Sequence, residues 1–178
     1  LSKVKEGVFA LAKELYGISF SINPDIPVYA AGVTAYDVID KNKSQLGVLY
    51  LDFHPRKGKQ GGAWMTNYSP QYINGKTNVR PYVAVVMNFT PPTPQRPSLL
   101  TLGEVTTFLH EFGHSLHALF ANTTYRSLSG TNVFWDFVEL PSQFMENFAL
   151  EKEWLDTWAV HYQTGEKIPQ EYIDKIKK

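Results

Sequence analysis

Apolar positions near the start of the chain recur at helical spacing. Val4, Val8, Leu11 and Leu15 are separated by 4, 3 and 4 residues, forming one stripe that Gly17 is placed to end. Stretches of strand character follow at 18–22, 33–39, 46–53, 62–68 and 82–89. Leu46-Gly47-Val48-Leu49-Tyr50-Leu51 is apolar on both faces, as in a central strand, and Lys41-Asn42-Lys43-Ser44 before it suits a hairpin turn. These features predict a small sheet, mainly antiparallel. The proline-rich run from Pro91 to Pro97 has too few backbone donors for a helix or ladder and reads as a loop.

After that loop the period changes. Leu102, Val105, Leu109, Phe112, Leu116 and Leu119 follow spacings of 3, 4, 3, 4 and 3, which predicts an amphipathic helix over 101–122. Thr101 with Glu104 has the form of a capping box, and Asn122 is a plausible stop. A further helical region is expected over 136–162, with Phe144, Phe148, Trp154, Leu155 and Trp158 as buried contacts. Pro141 interrupts it, so that helix either starts near Pro141 or is kinked there. A last helix is expected over 168–178, with Pro169 in its first turn.

Composition narrows the classes. With 178 residues and 43% hydrophobic content, one globular domain is the expectation. Lys plus Arg and Asp plus Glu both total 17, so no overall field recruits nucleic acid or an acidic membrane. With no cysteine, any metal must be held by imidazole and carboxylate. No apolar run approaches the roughly 20 residues needed to span a bilayer, and the chain reads as soluble. A start at Leu1 and an end inside an expected helix suggest a piece of a longer protein.

The chemistry lies on the 101–122 helix. His110 and His114, four residues apart, place both imidazoles on one face, while Glu111 is turned about 100 degrees from His110. That arrangement suits two ligands of one zinc ion with a neighbouring general base. Such an ion lowers the pKa of its water to about 7, and the carboxylate takes the proton as water attacks a carbonyl. A third ligand is needed. His117 is one candidate, but three ligands on one straight helix converge poorly. Glu139 is the better one, because the loop signal at 127–132 lets the chain turn back; by spacing alone it could equally be a solvated glutamate. His54 and His161 read as surface or packing residues.

Several motifs carry a resemblance. His110-Glu111-Phe112-Gly113-His114-Ser115-Leu116-His117, then Ser129-Gly130-Thr131-Asn132-Val133 and Asp136-Phe137-Val138-Glu139-Leu140-Pro141-Ser142-Gln143, resemble the catalytic core of the thimet oligopeptidase family, which includes oligopeptidase A and bacterial dipeptidyl carboxypeptidases. Tyr50 to Lys59, Gly61 to Met65 and Asn88-Phe89-Thr90 also fit. The similarity covers nearly the whole chain but only part of the family's catalytic unit. It implies that His110, His114 and Glu139 bind one zinc ion, that Glu111 is the base, and that short peptides are cleaved inside a channel of a mostly helical protein. It also implies that tyrosine and histidine groups from outside this chain bind substrate and stabilise the oxyanion.

Supporting roles are expected around that core. Asp136 or Gln143 could accept a hydrogen bond from a ligand histidine. Gly113 could let another element approach the metal helix, and Gly61-Gly62-Ala63-Trp64 could form an edge strand to which a peptide adds. Lys57 to Gly62 lacks the spacing of a phosphate loop. The expectation is therefore an α+β, zincin-like, partial catalytic domain over 1–178: a small mainly antiparallel sheet packed with helices that carry His110, Glu111, His114 and Glu139. Its expected function is zinc-dependent hydrolysis of short peptides in the cytoplasm, or alternatively the periplasm. The rival readings are a zinc-binding fragment inactive by itself and a different zinc hydrolase with the same ligands.

Overall fold

A computed structural model describes residues 1–177. The first helix, α1, spans Ser2–Tyr16 and ends at Gly17, whose φ of 71° gives the left-handed cap that glycine adopts without strain. Val4, Val8 and Leu11 are buried as their spacing predicts, but Leu15 is left at the surface.

The strands are β1 (Ser19–Ile22), β2 (Thr34–Ile39), β3 (Gln45–Asp52), β4 (Trp64–Ser69), β5 (Tyr72–Asn74), β6 (Thr77–Val79) and β7 (Tyr82–Val86). Five of them form one sheet in the order β1-β2-β3-β7-β4. The β3–β7 pairing is parallel and the other three are antiparallel, so the sheet is mixed with antiparallel pairs in the majority. The central position of β3 explains its apolar residues on both faces: Leu49 and Leu51 enter the main core, and Val48 and Tyr50 a smaller cluster on the opposite face. In the β2–β3 turn, Asp40 Oδ1 accepts from the backbone N–H groups of Asn42 and Ser44, both at 2.8 Å. The separate β5–β6 hairpin is absent from the sequence-based expectation, although Asn74-Gly75 between the strands is a hairpin signal, and Gly75 has the left-handed φ of 62°.

Helix α2 spans Leu102–Leu119, with both reciprocal hydrogen bonds of the Thr101–Glu104 capping box in place. It lies against the sheet through Phe108, Leu109, Phe112, Leu116 and Leu119. Arg80 holds its far end, donating to the carbonyls of Leu119 at 2.6 Å and Ala121 at 3.0 Å and, across the gap, to Leu46 at 2.8 Å.

The single helix expected over 136–162 is instead α3 (Trp135–Val138), α4 (Leu140–Glu146), a 3₁₀ segment at Asn147–Leu150 and α5 (Lys152–Trp158). Pro141 sits in the first turn of α4, where its missing N–H costs nothing, so of the two alternatives the helix starts there. Trp154 and Leu155 are buried, whereas Phe144 is half exposed. The last helix, α6, spans Gln170–Ile176, preceded by Pro169; Lys178 of the expected range lies outside the described residues. Among the described residues no helix is long and apolar enough to cross a membrane. The observed class is α+β.

Candidate metal centre

The centre is assembled where α2 meets α4. Gly113 makes the approach possible: a Cβ there would lie 2.5 Å from the carbonyl oxygen of Pro141 and 2.6 Å from the Cα of Ser142. Only a bare backbone lets the two helices touch at this depth. Glu139, at the junction of α3 and α4, is thereby carried to the histidine face of α2.

His110 Nε2 and His114 Nε2 each lie 3.2 Å from the same oxygen, Glu139 Oε2. One donor atom from each of the three residues falls within 4.8 Å of the others. Glu139 is steadied by Ser142, whose hydroxyl donates to Glu139 Oε2 at 2.8 Å and to the Glu139 carbonyl at 2.8 Å. His110 Nδ1 lies 2.6 Å from Glu146 Oε1. An ionised carboxylate only accepts, so this contact puts the ring proton on Nδ1 and leaves the His110 Nε2 lone pair facing the Glu139 oxygen. Two acceptors aimed at each other at 3.2 Å call for a proton or a cation between them. A tetrahedral ion with bonds of about 2.0–2.1 Å spaces its ligands by about 3.3 Å, so the donor set fits zinc.

The electrostatics agree with this arrangement. Burial pushes the His114 pKa down, favouring the neutral imidazole that a metal requires, although the Glu139 carboxylate opposes the shift. Glu111 is buried and stands outside the three-residue cluster. Burial pushes its carboxyl up; His110 and the Met65 backbone N–H pull it down by less, and Glu139 adds to the rise. Met65 is on β4, one of the two edge strands of the sheet. Glu111 thus lies on α2, the helix that packs against β4.

The other expected residues fall as follows. His117 is outside the cluster and packs edge-on against Phe137, with ring centroids 6.0 Å apart. His54 Nδ1 contacts the Phe89 carbonyl at 3.1 Å, and His161 is exposed beside Thr164. Among the described residues no hydrogen bond joins Asp136 or the side chain of Gln143 to either histidine; Glu146 takes the expected position behind His110, Ser142 supports Glu139 instead, and the buried His114 Nδ1 has no hydrogen-bond partner. Glu146 was findable, since it lies seven residues after Glu139 and so two turns along the same helix face. Lys59, in the run superficially like a phosphate loop, points inward onto Asp52.

This geometry can be set beside known proteins. The model of the family described as Peptidase family M3 matches residues 1–178. The chain belongs to Peptidase family M3. This family member is similar to the dipeptidyl carboxypeptidase of Escherichia coli K12, with 42% identity over 174 residues, which cover 98% of this chain and 25% of that protein. It is 38% identical to oligopeptidase A of the same organism over 177 residues, covering 98% and 26% of the two. A thimet-like oligopeptidase from Dictyostelium discoideum is 36% identical over 178 residues, covering 97% and 26%. The chain therefore spans about a quarter of the length of these relatives.

Proposed function

We propose that this chain is the zincin-like metal-binding part, over 1–178, of a longer peptidase that hydrolyses peptide bonds in short peptides, with His110, His114 and Glu139 holding one zinc ion and Glu111 as general base. The observation that carries the reading is the convergence of three donor atoms within 4.8 Å while the buried Glu111 carboxylate stands outside the set. The names of the relatives, two of them oligopeptidases and one a dipeptidyl carboxypeptidase, supply the substrate class.

When bound, zinc supplies Lewis acidity, which polarises a carbonyl and brings the pKa of water to about 7. Glu111 does the proton work. Its raised pKa moves a carboxylate toward the range where it takes a proton from attacking water and returns it to the leaving nitrogen. The free edge of β4 offers unpaired backbone groups to which an extended peptide adds as a further strand. Glu146 fixes the His110 tautomer, and Ser142 fixes the Glu139 rotamer.

A second reading has its own support. Phe134 is 87% and Trp135 93% exposed, immediately before the metal-facing Glu139. Such a surface is suited to packing against further polypeptide, and the relatives are about four times longer. On that reading the chain binds zinc by itself but turns over only with the remaining wall of the longer protein. The test is a quenched-fluorescence peptide assay on the chain alone and on the longer protein, each as wild type and as Glu111→Gln. The proposal requires Glu111→Gln to keep one zinc per chain and to lower kcat of the active form by roughly 10²–10⁴. Full activity in that variant removes Glu111 from the role.

A further inference from the structure

The chain leaves α2 at Leu119 and returns to that helix twice before α4 is under way. The second return is the contact of Pro141 and Ser142 with Gly113. The first is at Gly130, where a Cβ would lie 3.1 Å from the Cα of Ala118, five residues and so about 7.5 Å along α2 from Gly113. Gly130 also has the left-handed φ of 57°, so glycine serves both the turn and the close approach. No residue from 131 to 140 is buried, and none joins the hydrophobic core. The segment that carries Glu139 therefore has no core anchor of its own, and its path is set by the two returns to α2.

The upstream return is fastened to the β5–β6 hairpin through Gln71, a fully buried amide. Gln71 Oε1 accepts from the Thr123 N–H at 2.8 Å, and its amide nitrogen donates to the Thr123 carbonyl at 3.0 Å, so the side chain pairs with Thr123 as a neighbouring strand would. The same Oε1 accepts from the hydroxyls of Thr123 at 3.3 Å and of buried Ser129 at 3.4 Å. The Ile73 N–H adds a backbone bond to the Thr124 carbonyl at 3.2 Å. Asn78 Oδ1 links this hub to Arg80, accepting from Gln71 at 2.9 Å and from Arg80 at 3.2 Å. A buried amide must have its donors and acceptor paired, and every partner of Gln71 except Asn78 lies in the return loop.

We propose that Gln71 is a positioning residue for the metal centre: by holding Thr123 and Ser129 it seats Gly130 on α2, and so presets the path that brings Glu139 to His110 and His114. The inference rests on the zinc-site reading above. The chance that a flexible loop brings its ends together falls as about the three-halves power of its length. Releasing Gly130 extends the unsupported stretch before Pro141 from 131–140 to 120–140, which lowers that chance about threefold. Gln71 makes no hydrogen bond to any of the three ligands, so its influence on zinc passes through the placement of Glu139.

The experiment is a zinc competition titration on the chain as wild type, Gln71→Met, Glu139→Ala and the double variant, with amide hydrogen exchange on the metal-free wild type and Gln71→Met. Methionine keeps the volume of the buried side chain and removes its hydrogen bonds. Gln71→Met is expected to weaken zinc binding about threefold when Glu139 is present and to cause no further loss when residue 139 is alanine. It is also expected to speed exchange of the Phe137 and Val138 amides, while those of Phe112 to Leu116 in α2 exchange as in wild type. Unchanged zinc affinity, an equal loss in both backgrounds, or unaltered exchange at Phe137 and Val138 overturns the role; the equal loss would make Gln71 a residue of general stability only. Should Gln71→Met fail to fold, as read by circular dichroism, Gly130→Ala takes its place in the same cycle, since it lifts the loop from Ala118 directly, and the same three results overturn the inference. If the wild type holds no zinc, or Glu139→Ala holds it as tightly, the metal reading fails first and this inference falls with it.

Discussion

His110 and Glu146 are joined by a contact of 2.6 Å between Nδ1 and a carboxylate oxygen, across the gap between α2 and α4. The pair fixes which ring nitrogen carries the proton and turns the other toward Glu139. Glu146→Ala is therefore expected to weaken zinc binding by roughly 10–100-fold while the chain remains folded. Competition titration against a chromogenic chelator measures the change, and an unaltered affinity would show that the ring is oriented by other means.

Glu139 itself is a stronger case. Glu139→Ala removes the only carboxylate in the three-residue cluster and leaves two imidazoles on one helix. Zinc retention is expected to fall well below that of Glu146→Ala, with Ser142 losing its side-chain acceptor as well. Equal affinity in the two variants, read by the same titration, would point to a different third ligand.

Gly113→Ala tests the helix contact. Alanine is intrinsically better in a helix by about 1 kcal/mol, so an isolated α2 would gain. In the folded chain the added methyl meets the backbone of Pro141 and Ser142, which cannot rotate away. Overpacking of this kind costs about 1–3 kcal/mol and moves the junction that carries Glu139. Urea unfolding is expected to show a net loss of stability, and zinc titration a weaker site; a stabilised variant with intact zinc binding would contradict the close approach.

The acid limb of stability is expected to involve Asp52. Burial alone pushes its carboxyl up, but hydrogen bonds from Arg56 and Lys59 outweigh that and hold the pKa below the usual value. Because the folded-state pKa is depressed, the stabilisation is complete above the unfolded value of about 4 and is lost as pH falls through the lower folded value. Asp52→Asn leaves the Lys59 ammonium buried without its charged partner. It is expected to cost about 3–5 kcal/mol at neutral pH, with the difference from wild type shrinking below roughly pH 4. Urea unfolding across that range reads both quantities.

Much of this was legible in the chain itself, because the signals are local. Thr101 with Glu104 marks the start of α2 through two hydrogen bonds made within one turn. The four-residue spacing of His110 and His114 sets their shared face by helix geometry alone. Alternating or continuous apolar runs located the five strands of the main sheet, and β3 declared its central place by being apolar on both sides. The long helix expected after residue 135 failed for the complementary reason: periodicity cannot say where packing against α2 and α1 breaks a helical run into short pieces, and half-exposed Phe144 shows that an apolar residue at helical spacing need not face the core.

What the tertiary structure decided is everything that depends on two distant segments meeting. Spacing left Glu139 undecided between a ligand and a solvated residue; the fold places its oxygen 3.2 Å from both histidines because Gly113 admits the backbone of α4. Glu146 in place of Asp136 or Gln143 and the inward turn of Lys59 onto the end of β7 have the same origin. A one-dimensional pattern records which face of an element is apolar and which residue types sit on it. The angle and depth at which two elements cross come from side-chain volumes summed over the whole interface, and those set distances of a few tenths of an ångström on which a ligand set depends.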